Sequence, residues 1–520
     1  MSLKFISKEE AANLIKDNST LVTSGFVECS NPEALEYALE ERYEKTGNPK
    51  NITLIHAAGQ GDGDSKAINH FGKEGLLKRI IAGHFNKAPK VGQLIIDNKI
   101  EAYNLPQGTI SQLFRDIAGK RVGTITHVGL QTFVDPRVEG GKLNKVTSED
   151  IVFLINIDGK ERLFYKAFNL DFAFIKGSIC DERGNVSMED DVVPTEVLSI
   201  AQAVHNCGGK VIVQVDNIVK DGCLDPKLVK IPRIYVDYIV VVDEQNLKQP
   251  VFGIDYCPEL TGKKMLSTQS SSDKPMPLDV RKIIARRAAM ELKEGTIVNL
   301  GIGMPEKISE VSTEEGINDY MTLTVEAGPI GGIPQAGNAF GSSLDAEAII
   351  DQSYQFDFYD GGGLDIAYLG LAQVDEKGNV NVSKFGTRIA GCGGFINITQ
   401  NAKKVVYCGT FTTKGLSVGV NDGKLIIKEE GKAKKFLKNV EQITFSGDYA
   451  KSMKQSVLYI TERAVFELKE EGLTLIETAP GIDIQKDILD LMDFKPLIDK
   501  DLKEMDSRIF KEEKMNLKKM

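Results

Sequence analysis

Along this chain, short runs of β-branched and aliphatic residues alternate with stretches whose apolar positions recur every three or four residues. The runs at 52–55, 79–82, 211–215, 238–242, 321–326, 366–369 and 404–408 predict strands. The periodic stretches at 8–16, 32–45, 110–117, 279–292 and 306–315 predict helices. Alternation from end to end implies βαβ units, mostly parallel sheets and the α/β fold class. One segment, 261–278, interrupts the pattern with TGKKMLSTQSSSDKPMPL, polar and serine-rich with two prolines, and reads as a linker. It separates an N-terminal lobe, 1–260, from a C-terminal lobe, 279–520. The tail, 500–520, is rich in lysine and glutamate and predicts a solvated terminal helix without chemistry.

The two halves resemble each other. DFAFIKGSICDERGNV (171–186) matches DIAYLGLAQVDEKGNV (365–380) without a gap at an offset of 194. A weaker match sets IIAGHFNKAPKVGQ (80–93) beside VEAGPIGGIPQAGN (325–338). Duplication of one α/β lobe is the reading these matches support. A cleft between two such lobes is where a ligand is expected.

Charge and cysteine usage narrow the function. The 520 residues carry 64 Lys and Arg against 74 Asp and Glu, a net charge of −10, which disfavours a binder of nucleic-acid phosphates. No apolar run is long enough to span a membrane. The N-terminus lacks the pattern of a secretion signal. Seven cysteines, never in CxxC spacing, fit a reducing compartment, so a cytoplasmic location is expected. There is no HxH, HExxH, GxGxxG or P-loop motif, which disfavours zinc, dinucleotide and nucleotide-triphosphate chemistry. GQGDGDSK (59–66) lacks the closing glutamate of a calcium loop and reads as a turn.

Four segments could carry chemistry. In MTLTVEAGPIGGIPQAGN (321–338) a strand runs into a loop of four glycines and two prolines. Ligands of open α/β sheets bind beyond the carboxyl ends of strands, where Glu326 would sit. There it could serve as nucleophile or general base, or be an ordinary solvated strand-end carboxylate. AGCGGFINI (390–398) could form an oxyanion hole or anion nest around Gly391, Gly393 and Gly394, or be a tight turn. Just before it, Asn381, Ser383 and Lys384 could meet phosphate or amide groups. Gly25, in VTSGFVECSNPE, opens a turn into a helix N-terminus that would suit an anion. Gln107, on a Pro-Gln-Gly turn, could polarise a carbonyl or be an ordinary turn residue.

Taken together, the blocks SGFVECSNPE, NHFGKEGLLKRIIAGH, NKIEAYNLPQG, THVGLQTFVDPR, VNLGIGMPE, TLTVEAGPIGGIPQAG, FDFYDGGGLD, GNVNVSKFG and GCGGF resemble the short-chain acyl-CoA:carboxylate CoA-transferases. The resemblance is to the acetate/propionate type with both halves fused in one chain. It implies two CoA-transferase lobes, a nucleophilic Glu326 and an oxyanion site built from Gln107 and the backbone near Gly393. It also implies a glutamyl-CoA thioester intermediate. Gly391, Gly394, Asn381, Lys384 and Gly25 are the expected CoA contacts. Acyl-CoA and short-chain carboxylates are the implied partners, with coenzyme A as substrate and no metal or tightly bound cofactor. Nucleic acid and membrane are not expected partners, and a homo-oligomer, dimer or tetramer, is. The chain has Val-Glu-Ala-Gly where ketoacid members have Ser-Glu-Asn-Gly, which argues against a 3-oxoacid preference. Phe26, Phe71 and the loop after Pro329 are expected to shape the acyl pocket. The rival functions are an acyl-CoA hydrolase on the same scaffold and a non-catalytic ligand sensor.

Overall fold

The computed structural model describes residues 3–265 and 275–519, so the central part of the expected linker lies outside the described residues. The first sheet runs in the order Lys4–Phe5, Tyr238–Val241, Lys210–Val215, Phe172–Lys176, Thr20–Thr23, Ile52–His56, Leu77–Ala82, Glu101–Asn104. Every neighbouring pair in it is parallel. Such strands are covered on both faces, which is why they read as continuous apolar runs in the sequence. Leu21, Leu54, Ile80 and Phe174 from these strands pack with Leu35, Leu39, Phe71 and Val91 in one core.

In the second half the order is Met321–Thr324, Thr296–Leu300, Ile366–Gly370, Lys404–Cys408, Ser456–Ile460, Ala464–Lys469, Gly472–Thr478, Leu497–Glu504. The first five strands are parallel neighbours. Two antiparallel pairings and one parallel pairing complete the series.

Strand register establishes the repeat. Leu21 lies opposite Phe172 and Leu54, as Val298 lies opposite Ile366 and Leu323. Lys210 faces Phe172 and Lys404 faces Ile366, so the offset of 194 found in the sequence is preserved. The turn chemistry repeats as well. Asp181 accepts from the backbone N–H groups of Arg183 and Asn185 and from the Asn185 amide. Asp375 does the same with Lys377 and Asn379. Asp171 and Asp365 each accept a backbone N–H across the sheet, from Thr20 and Ile297.

The weaker match of 80–93 with 325–338 is not borne out. Pairing Leu54 with Leu323 as equivalents places Glu326 where the first half has Ala57, after the second strand of the repeat rather than the third. Ala-Gly follows both first-half strands, at 58–59 and at 82–83, so the dipeptide alone could not choose between them.

Compactness divides the chain differently from the expected 1–260 and 279–520. One unit comprises 1–266, 325–358 and 386–397; the other comprises 267–324, 359–385 and 398–520. Two excursions of the second half therefore belong to the first unit, and Glu326, Gln107 and Gly391–Gly394 lie in the same unit.

The terminal segment is not a solvated helix. Leu497–Glu504 is a strand beside Gly472–Thr478, and Met505, Ile509, Phe510, Met515 and Leu517 enter the second unit's core. Buried Arg286 donates to the carbonyls of Lys511 and Glu513. The lysines and glutamates of this segment face water and masked an apolar set with neither a helical nor a strand period.

Candidate active site

The strand carrying the acidic loop ends at Thr324, two residues short of Glu326. Its ladder stops because the Val325 N–H turns to the Pro329 carbonyl (2.9 Å) and the Gly328 N–H returns to the Val325 carbonyl (3.0 Å). Glu326 thus sits on a tight turn. A methyl group on Gly328 would come within 2.0 Å of the Ile350 carbonyl oxygen, at a backbone φ of 129°, so no other residue closes this turn without displacing the return strand. Glu326 is half-buried. The residues on either side of it, Val325 and Ala327, pack into an apolar cluster with Phe26, Cys29, Val192, Val251 and Phe340. Phe26 and Phe340 lie 5.7 Å apart between ring centroids. Phe71 is elsewhere, in the core of the first sheet, and shapes no pocket here.

The turn leads into a short antiparallel ribbon, Pro329–Ile330 against Ala348–Ile349. The return strand leads into Gln352, the first residue of the helix Gln352–Asp360, whose backbone N–H bonds the Thr195 carbonyl. The Gln352 side chain accepts from the Gln107 amide (3.0 Å) and donates to Glu196 (2.5 Å). The ribbon therefore couples the Glu326 turn to Gln107, which begins the helix Gln107–Ala118.

The loop 390–397 is stitched to the same region. Phe85 N–H bonds the Ala390 carbonyl, Gln107 N–H bonds the Gly393 carbonyl, and Gly108 N–H bonds the Asn397 side chain. Asn104, fully buried, donates to the Ala82 and Gly83 carbonyls and accepts from the Cys392 N–H. Gly391 has φ 87°, and a methyl group there would meet the His84 Cα at 2.8 Å. The Gly393 N–H, expected to stabilise an oxyanion, instead donates to the Gly83 carbonyl at 2.7 Å. In this state it holds the loop in place. Gly393 lies against the Gln107 amide and the His84 ring.

The other expected contacts divide. Gly25 lies under the side chain of Asn31, which ties the carbonyls of Val27 and Cys29. The loop it opens holds Val27 at φ 53°, a left-handed conformation that costs a β-branched residue on the order of 1–3 kcal/mol and clusters at functional sites. Asn381 is not available to a phosphate. Its amide is consumed by Gln373 and the Lys384 carbonyl, and its oxygen accepts the Ser383 and Lys384 N–H groups. Ser383 is spent on Gln442 and Thr444. Both are local turn braces in the second unit, as is the backbone of Lys384.

Sequence reasoning did not single out His84, Asn104, Glu196 or Gln352. His84 and Asn104 lie inside blocks that carried the resemblance, but nothing marked them individually.

Burial holds the His84 imidazole down to about 4, with the Arg388 charge adding to it. His56 is likewise held at about 4 by burial, against its hydrogen bond to the Ala58 carbonyl. Both are neutral at physiological pH. His70 goes the other way: burial would lower it, but hydrogen bonds to Glu33 and Glu40 raise it to about 9.

The ordinary value is 6.5. The unfolded chain therefore protonates at His56 and His84 before the folded one does, and their contribution to stability is lost as pH falls from 6.5 to 4. The contribution of His70 is complete below 6.5 and lost as pH rises through 9. Urea midpoints across this range are expected to peak near pH 6.5, and His56→Asn is expected to flatten the acid limb. An acid limb unchanged in that variant would assign the loss to other groups.

Among the described residues no group of three or more His, Cys, Asp or Glu is placed to hold a metal ion, and no helix is long and apolar enough to cross a membrane. What the unit assembles is a carboxylate on a glycine turn between apolar neighbours, linked to a buried carboxamide. Such a site suits covalent acyl transfer.

Comparison with known proteins identifies the class. A family model described as coenzyme A transferase matches residues 5–242 and 281–486. The chain is 49% identical to the caffeate CoA-transferase of Acetobacterium woodii, over 98% of either chain. It is 46% identical to the acetate CoA-transferase YdiF of Escherichia coli (strain K12), covering 97% of this chain and 94% of that one. A crystal structure of YdiF from E. coli O157:H7, described as a thioester complex with CoA, aligns with a TM-score of 0.92 at 44% identity, covering 99% and 97%. The chain belongs to the coenzyme A transferase family and is a CoA-transferase.

Proposed function

We propose that this CoA-transferase moves CoA between a short-chain acyl-CoA and a free short-chain carboxylate, of the acetate, propionate or butyrate class, by ping-pong chemistry at Glu326. The observation that carries the reading is the placement of Glu326 on its glycine turn, flanked by packed Val325 and Ala327 and coupled through the ribbon to Gln107.

The Glu326 carboxylate attacks the thioester carbonyl carbon. The carbon–sulfur bond breaks, leaving a mixed anhydride and CoA thiolate. The thiolate then attacks the glutamyl carbonyl, the anhydride carbon–oxygen bond breaks, and the first acid departs as its carboxylate. A glutamyl-CoA thioester remains, and an incoming carboxylate reverses both steps. Each addition places negative charge on a carbonyl oxygen. Gln107 keeps one amide N–H beyond the one given to Gln352 and can direct it at that oxygen. The side-chain-free stretch at Gly393 and Gly394 leaves room for the reacting groups. The apolar cluster around Val325 and Ala327 keeps water from the anhydride, which would otherwise hydrolyse.

Mixing the protein with acetyl-CoA, without acceptor, and mapping peptides by mass spectrometry is expected to show a CoA adduct on the peptide bearing Glu326. Added acetate, propionate or butyrate should clear it, with the matching acyl-CoA appearing. Clearance by caffeate in preference to these acids would replace the short-chain assignment with an aromatic one. An adduct cleared only by water would identify a hydrolase.

A further inference from the structure

The helix Val197–Asn206 begins after Glu196, which occupies the N-cap position but makes no side-chain cap. An acidic side chain there ordinarily accepts the helix's own first N–H groups. Glu196 instead turns to Gln352, which continues to Gln107. The three side chains are 1%, 0% and 2% exposed. The second carboxyl oxygen of Glu196, Oε1, is buried without a hydrogen-bond partner. A buried carboxyl with half its capacity unmet costs stability, and an apolar residue of the same size would not. Its place in the chain of side chains that ends at Gln107 calls for a role.

We infer that Glu196 is a positioning residue for CoA transfer, fixing through Gln352 the direction in which the Gln107 carboxamide faces. The inference rests on the reading of Gln107 as donor to the reacting oxygen. A carboxamide is nearly symmetric in shape, so its nitrogen and oxygen exchange places unless a neighbour distinguishes them. Glu196 supplies the distinction. Its Oε2 accepts, so Gln352 turns its nitrogen toward Glu196 and its oxygen toward Gln107. Gln107 must then turn its nitrogen toward Gln352, which leaves the second N–H of that nitrogen for substrate. Because the three side chains bond one another directly, the order set at Glu196 is passed to Gln107. Burial, with the nearby Asp351 charge, holds the Glu196 carboxyl up to about 8. The ionised carboxylate can only accept, and the acid still keeps an acceptor oxygen toward Gln352.

The test is a set of single and double variants read by steady-state kinetics, with thermal unfolding to confirm folding. Glu196→Met and Gln352→Met are each expected to lower kcat roughly 10-fold through misorientation of a catalytic group, with KM for acyl-CoA changed less than about twofold. Glu196→Gln, which keeps an acceptor oxygen at that place, should recover most of the loss. In a Gln107→Ala background neither methionine change should cost anything more, because the group they position is gone. Losses that multiply in the double variants, or a Glu196→Gln loss equal to that of Glu196→Met, would overturn the relay. Should Glu196→Met not fold, Gln352→Met breaks the relay at its middle and carries the same test. A Gln107→Ala enzyme with unchanged kcat would instead sink the donor role of Gln107, a separate failure.

Discussion

Replacing Glu326 by glutamine is expected to remove the CoA adduct entirely and to lower the transfer rate by at least roughly 10⁴-fold, the scale on which loss of a covalent nucleophile is felt. The amide has nearly the volume of the carboxylate, so the turn at 325–329 and the packing of Val325 and Ala327 should survive with the melting temperature unchanged. The amide nitrogen is not nucleophilic toward a thioester, so the first covalent step has no substitute. Intact-mass spectrometry and single-turnover kinetics on the two proteins decide the matter. Equal labelling of the variant would place the nucleophile elsewhere.

Gln107→Ala carries the second large effect, a fall in kcat of about 10²–10³, the typical cost of removing one oxyanion donor. Its backbone N–H remains bonded to the Gly393 carbonyl, so the loop should keep its place while the side-chain donor disappears. Because both tetrahedral steps use the same donor, formation and discharge of the thioester should slow together. A variant that slows only one half-reaction would assign Gln107 to one substrate rather than to the common chemistry.

Much of this architecture was legible in the residues. Strands covered on both faces declare themselves as aliphatic runs, and Lys404–Cys408 was bounded to the residue. The repeat was visible because both halves build the same turn from the same residues, an Asp bracing the Asn four positions on. The turn that carries Glu326 was legible through its glycines. Its distance from the strand end was not, because the bond from Val325 to Pro329 is a choice between two backbone partners that no side chain announces. Asn381 illustrates the opposite error: an amide beside a glycine turn suggested a ligand, and the turn itself used the whole amide. Gln352 stayed hidden for a geometric reason. It lies 245 residues from Gln107 and 156 from Glu196, and only the closed fold brings the three together.

The division into compact units bears on how the chain is made in the cell. The sheet of the first unit is complete at Val241, yet the unit takes in 325–358 and 386–397. During synthesis that sheet emerges without its active-site ribbon and without the loop that Asn104 braces. The second unit waits longer, since Ile509, Phe510 and Leu517 belong to its core. A chain halted between the linker and residue 397 therefore has its first sheet complete and neither unit. Early products of translation then carry the apolar surfaces that chaperones bind, and the ribbon and loop that complete the site's unit arrive only with residues 325–358 and 386–397.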